Sequence, residues 1–465
     1  MHTATIRTEV RDYLLEHDLN MSEFGGVAGL NPGTVSGIVM TNRSISVHQM
    51  DRITKAMDKP EDYFYSRYVQ EYMRDTPLNW RRVKPFLQRC MELNRLDCME
   101  QVVSILMENV TYYAPLVFEL AEDFFGQERY EAAALLYKNI AFSEKNQHSE
   151  RLAICQYRLF KIRIGDDQIQ NLKAAVEFGP YAERLGELEQ LDALKDLANL
   201  YRSLGHWDTV FELAQDMGQK ARIQYELKQR SDRGDMDALS RLSRPLFVYI
   251  AYADFLSASA CDERGVYAEG MKHIQAYADL SWVKEQDEDT KKWIVSFQQW
   301  TKVNLCVNRL MAGEIHVLPE YVDYIEGENE IFAELLNVVE AANKYNINID
   351  SILKRFEQQI VDPQRHKFND TYNQQVLSIE EARFWYELSK YFLCRRDYSH
   401  GFKCLMDCLE LAHKMNNKVL LMNCVGLFEN FRSVATAEMK TQYNALIRKV
   451  WEGNDQKGGV LLSSS

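Results

Sequence analysis

Few side chains in this 465-residue sequence stand at spacings that make or break bonds. His400, Cys404 and Cys408 recur at i, i+4 and i+8, on one face of a helix, and both residue types bind zinc. One straight helix rarely supplies the fourth ligand or the tetrahedral geometry. The two cysteines also alternate with Phe402, Leu405 and Leu409 as core, so no metal is expected. Glu380 with Glu381, and Asp287, Glu288 and Asp289, lie in polar stretches that read as helix starts or loops. No Walker-type phosphate loop, HExxH pair or GxSxG elbow occurs. The chain reads as a non-enzyme without a cofactor.

Recognition chemistry is better represented. The stretch VAGLNPGTVSGIVMTNRSIS, from Val27 to Ser46, carries a glycine turn, a proline able to open a helix, and a run of small polar side chains. Apolar residues Ile6, Val10 and Leu14 predict a helix from Thr5 to His17. Ser22 is placed as the N-cap of a second helix stopped by Gly29, and Asn31 as the cap of a third with Pro32 first. Val35 and Ile38 then face inward, with Gly33, Thr34, Ser36 and Gly37 outward. Ser46 caps a fourth helix through Val47, Met50, Ile53 and Met57.

This pattern makes a helix-turn-helix module, and GLNPGTVSGIVMTNRSIS resembles the Xre/Cro/C1-type repressor domain over the first 65 residues or so. The resemblance implies that Asn31, Gly33, Thr34, Ser36 and Gly37 approach the major groove of double-stranded DNA, with Asn42 and Arg43 near phosphate. Long readers such as Gln or Arg are missing from the third helix, which shifts the burden to DNA shape.

Charge complicates that expectation. The chain has a net charge of −13, and through Ser66 six basic side chains face nine acidic ones. From Arg67 to Arg95 seven basic side chains face three acidic ones, so this basic connector is expected to supply phosphate attraction. With 46% hydrophobic and 26% charged residues the chain is globular and too long for one core; 9 prolines and 21 glycines leave long stretches for helix. Nine scattered cysteines fit reduced thiols. No leader pattern and no membrane-length apolar run is evident, so the expected location is cytoplasmic, away from membranes.

Beyond residue 95 an internal repeat emerges. LAEDFFGQERYEAA, LANLYRSLGHWDTV and LSKYFLCRRDYSHG place Leu120, Leu197 and Leu388 ten residues before Tyr130, Trp207 and Tyr398, with Ala133, Val210 and Gly401 three further on. Gly265, Tyr267 and Gly270 form a weaker copy. This is the tetratricopeptide pattern, in which an aromatic opens the second helix and a small residue lets two helices approach. The expectation is an all-α chain: a helix-turn-helix domain at 1–66, a helical connector at 67–95, a repeat solenoid at 96–455 and a flexible tail at 456–465.

In such a solenoid the first helix of each repeat lines a groove. The register places Lys195, Asn199 and Arg202, then Arg383, Tyr386 and Lys390, on that lining, and Asn304 and Asn308 repeat the carboxamide chemistry at i and i+4. Carboxamides pair with an extended peptide backbone, and the cations suit an acidic group on the peptide. A helix-turn-helix followed by such an array resembles the RRNPPA peptide-pheromone receptors, the family of Rgg, NprR, PlcR, PrgX and the arbitrium receptors. That resemblance implies a homodimeric, quorum-sensing transcription regulator switched by a short imported signalling peptide. Asn199, with Asn304 and Asn308, then holds the peptide backbone. A Rap-like modulator of a phosphorelay response regulator and a repeat scaffold are the alternatives.

Overall fold

A computed structural model describes residues 5–41, 43–74, 78–146, 149–230, 242–326, 331–361 and 371–458. Among them every regular element is a helix, and no helix is long and apolar enough to cross a membrane. The chain divides into two compact units, Met1–Ile162 and Arg163–Ser465.

Unit 1 opens with α1 (Ile6–Glu16), α2 (Met21–Ala28), α3 (Pro32–Thr41) and α4 (Val47–Ala56). Thr5 caps α1, and Ile6, Val10 and Leu14 are buried beneath it. Asn20, rather than Ser22, caps α2, because its side chain accepts from the Ser22 and Glu23 amides while Glu23 reaches back in a capping box. Gly29 ends α2 in the left-handed conformation (φ 63°). Asn31 accepts from the Gly33 amide at 2.8 Å, and Ser46 and Gln49 form a capping box on α4. Val35, Ile38, Val47, Met50, Ile53 and Met57 are all buried.

The unit does not stop at residue 66. A short helix α5 (Tyr65–Tyr68) continues into a π turn, and α6 (Trp80–Glu92) and α7 (Leu96–Leu106) follow. Phe86 of α6 packs its ring 5.3 Å from Tyr65 and 5.2 Å from Tyr68, and the Tyr68 hydroxyl donates to the Ile45 carbonyl at 2.7 Å. The predicted connector is therefore part of the same core as α1–α4, and the boundary moves from 66 or 95 to residue 162. Helices α8 (Val110–Gly126), α9 (Tyr130–Ser143) and α10 (Glu150–Arg163) complete the described order up to that boundary.

Unit 2 runs through α11 (Gln168–Phe178), α12 (Glu189–Ser203), α13 (Trp207–Arg230), α14 (Leu246–Glu263), α15 (Tyr267–Ala278) and α16 (Glu288–Met311). It continues with α17 (Leu318–Ile325), α18 (Ile331–Tyr345), α19 (Asp350–Arg355), α20 (Glu357–Val361) and α21 (Thr371–Cys394), then α22 (Tyr398–Lys414), α23 (Lys418–Phe431) and α24 (Ala437–Gly458). The last helix enters the predicted tail as far as Gly458; residues 459–465 lie outside the described ones.

All four repeat copies read from the sequence are helical hairpins. In each, the aromatic opens the second helix: Tyr130 in α9, Trp207 in α13, Tyr267 in α15 and Tyr398 in α22. A three-residue turn precedes it, with Glu128, Gly205, Gly265 or Arg396 left-handed at φ 59°, 72°, 73° and 67°. The next amide donates to the carbonyl five residues back, Arg129 to Phe124, His206 to Tyr201, Val266 to Cys261 and Asp397 to Phe392, at 2.8 to 3.0 Å. This is the Schellman closure, which satisfies carbonyls a helix end leaves open. Asn94 and Asn416 build the same turn between α6 and α7 and between α22 and α23. The small residue after each aromatic marks the close approach, since a Cβ on Gly401 would lie 2.7 Å from Leu393 Cγ.

Gly25 and Gly26 make a matched test in α2. A Cβ on Gly25 would meet the Leu30 carbonyl oxygen at 2.7 Å, whereas one on Gly26 meets nothing within 4 Å. Gly25→Ala should destabilise unit 1 by about 1–3 kcal/mol, and Gly26→Ala should be neutral or slightly stabilising. Urea unfolding of the two variants checks this; equal effects would contradict the close approach.

Candidate functional site

On the first candidate surface, Asn31, Gly33 and Arg43 are exposed and Thr34, Ser36 and Gly37 are half-buried, while Asn42 lies outside the described residues. Nothing longer than threonine projects from the open side of α3 before Met40, which is 61% exposed. A Cβ on Gly37 would touch Arg43 Cδ at 3.2 Å, so the arginine stem lies against the helix. Two nearby arginines bind main chain: Arg7 donates to the Val39 and Met40 carbonyls, and Arg52 to that of Gly29.

The basic connector does not offer the expected field. Arg67 pairs with Glu9, Arg89 with Asp51 at 3.1 Å, Arg95 with Asp62 at 2.9 Å and Lys84 with Asp123 at 3.6 Å, and Arg82 donates to the Ile45 carbonyl. These partners explain the correction. Glu9, Asp51 and Asp62 come from the acid-rich first 66 residues and Asp123 from α8, so the field of the basic segment is cancelled locally by carboxylates of the same unit. Arg74 and Arg81 remain exposed.

The second candidate surface lies within unit 2. Asn199 accepts from the Tyr252 hydroxyl at 2.6 Å, and its amide nitrogen keeps no partner among the described residues. Lys195 lies 3.0 Å from Asp192 and 3.6 Å from Asp196, and donates to Ser243 at 2.8 Å. Burial works against its charge, but the two aspartates outweigh it and hold the ammonium protonated. Arg202 reaches Glu380 at 3.4 Å and lies over the Phe255 ring. Arg383 bridges Glu263 and Glu340, each at 2.8 Å. Lys390 pairs with Glu387 at 2.8 Å and covers the half-buried Tyr386 ring.

The geometry thus gathers Lys195, Asn199, Arg202 and Arg383 with Glu263, Glu340 and Tyr252, which the sequence pattern did not single out, and with Glu380, which lies inside α21 and not at the helix start or loop expected for it. Each cation expected to await an acidic group already has a carboxylate. Asn304 donates to the Tyr277 hydroxyl at 2.8 Å. Asn308 is not a groove residue: it is 2% exposed and donates to Asp262 and to the Tyr267 carbonyl between α14, α15 and α16. Helical spacing cannot tell an asparagine facing solvent from one facing the next helix.

His400 is exposed and bonds Asp397, while Cys404 and Cys408 are buried. No group of three His, Cys, Asp or Glu among the described residues is placed to hold a metal.

Desolvation pushes the Glu340 carboxyl up to about 7, with Arg383 opposing and Glu263 and Glu387 adding to the rise. Its side chain still keeps 21% of its surface open, so water reaches the carboxylate. Arg383 is held protonated more firmly than Glu340 is held ionised because it has two carboxylates, whereas Glu340 shares one arginine. A folded carboxyl above its ordinary 4.5 binds more protons than the unfolded chain, so its stabilising contribution is complete below that value and is lost as pH rises through about 7. Glu340→Gln should therefore change little at pH ~5 and stabilise unit 2 by about 1–2 kcal/mol at pH ~8. Urea unfolding at both pH values checks it; a loss confined to the higher pH would mean that the Arg383 pair outweighs burial.

No family model matches the chain, and no curated protein matches it. Among solved structures it is similar to a circular tandem repeat protein with novel repeat topology and enhanced subunit contact surfaces, at 12% identity over 96% of this chain and 100% of that one, with a TM-score of 0.20.

Proposed function

We propose that the chain is a cytoplasmic transcription regulator. In this reading it is a homodimer whose N-terminal helix-turn-helix modules read a pseudo-palindromic operator in double-stranded DNA. Its tetratricopeptide-like helical hairpins bind a short imported signalling peptide in the cleft of unit 2. The observation that carries the reading is the pairing of α2 and α3 across left-handed Gly29, with the small residues Gly33, Thr34, Ser36 and Gly37 on the open side of α3 ahead of Met40. Such a helix can bring its backbone close to base edges and phosphates.

With five of the seven connector cations engaged internally, the DNA affinity rests on few phosphate contacts and on duplex shape, and its salt dependence is shallow. The test is selection of duplexes from a random pool, followed by retardation assays. Thr34→Glu combined with Ser36→Glu should weaken the selected operator about a hundredfold or more through phosphate repulsion, with helicity and dimerisation unchanged. Undiminished affinity at matched salt, or failure of the parent protein to select any duplex, would leave the scaffold or the Rap-like modulator.

The peptide half of the reading is supported by Asn199, whose oxygen is held by Tyr252 while its NH2 group, without a partner among the described residues, suits a main-chain carbonyl. Asn199→Ala should cost about tenfold to a hundredfold in affinity for the peptide encoded beside the gene, measured by calorimetry. DNA binding without peptide should survive. Equal peptide affinity in the variant would overturn this register of the cleft.

A further inference from the structure

In an array of helical hairpins each pair normally touches only its neighbours. Unit 2 breaks that rule. Helices α11 and α12, near its start, meet α21 and α22: Arg202 and Glu380 pair across 178 residues of sequence, and Asn416 donates to Asp167 across 249. The Gln168 amide donates to the Met415 carbonyl at 3.1 Å, and the Gln168 carboxamide to the Ser203 carbonyl at 3.3 Å.

The large hydrophobic cores on the two sides of these contacts are separate. Leu191, Leu194 and Ala198 of α12 belong to a hydrophobic core shared with α13–α16, whereas Phe384, Leu388 and Leu405 of α21 and α22 belong to two other cores. A cavity of about 70 Å³ lies along the seam, lined mostly by polar residues, Gln168, Asn171, Ser203, Ser378, Glu381 and Lys414 among them, with Ile379, Leu411 and Met415 as its apolar wall. Polar groups with room for water beside them exchange partners readily, unlike a continuous apolar contact.

We propose that this seam is a gate: unit 2 opens and recloses along it, parting mainly polar contacts while its hydrophobic cores stay intact. The Arg202–Glu380 pair sets the balance between the two states. Opening frees Arg202, one turn from Asn199, from its carboxylate. The gate stands independently of the peptide reading, because it operates without ligand.

One amide reports the gate directly. Gln168 is the first residue of α11, where an amide has no partner within its own helix, so its protection comes from Met415 across the seam. Hydrogen exchange of the full-length protein, resolved to single amides by mass spectrometry, compares Gln168 with Ala198 in the core of α12.

Gln168 should exchange at least about tenfold faster than Ala198, with little dependence on low denaturant, as for a local opening. Arg202→Ala, or about 0.5 M salt, should speed it a further three- to tenfold or so, leaving Ala198 unchanged as the control for intact folding. The charge swap Arg202→Glu with Glu380→Arg should restore the parent rate to within about twofold. Exchange of Gln168 only on global unfolding, a rate unmoved by Arg202→Ala, or failure of the swap to restore it would each overturn the gate.

Discussion

A single backbone closure organises this protein. At the end of one helix after another, a left-handed residue lets the following amide reach the carbonyl five positions back. The closure occupies a carbonyl that would otherwise need water, and it reverses the chain within three residues. The next helix must then lie against the one just finished. In the four repeat hairpins an aromatic then opens the next helix and the position one turn later is buried against the helix just finished, as Trp207 with Val210 and Tyr398 with Gly401 illustrate.

Helices forced to lie this close leave little room for unpaired charge, and the charges pair over long distances. In unit 1 the acids of the first helices find the bases of the segment behind them, which makes one body of what composition divides in two. In unit 2, Arg383 alone joins α14, α18 and α21 by taking a carboxylate from each of the first two. Partly exposed pairs contribute modestly to stability but strongly disfavour misregistered packing, because a shifted helix strands a buried charge.

The same pairing shapes recognition. A surface whose arginines are bound to neighbouring carboxylates or carbonyls presents shape more than field, as at α3 with Arg7 and Arg52 bonded to main-chain carbonyls. In unit 2, Lys195, Arg202, Arg383 and Lys390 are likewise engaged by carboxylates of the same chain, so none of the four stands as bare charge.

Much of this was legible in the sequence, and the reason is that local closures use local residues. The apolar stripe of α1, the Gly29 stop, the Pro32 start and the Ser46 cap depend on side chains within a few positions of each other, as do the four hairpins with their aromatics. Pairing over tens to hundreds of residues left no such trace. Nothing near Arg89 announces Asp51, nothing near Arg202 announces Glu380, and the i, i+4 spacing of Asn304 and Asn308 does not reveal that the second is buried against Asp262. The sequence by itself determined the helices, their turns and their inward faces, because these are set by neighbours along the chain. Only the tertiary structure decided which charges remain open to a partner, because an ion pair depends on distance in space.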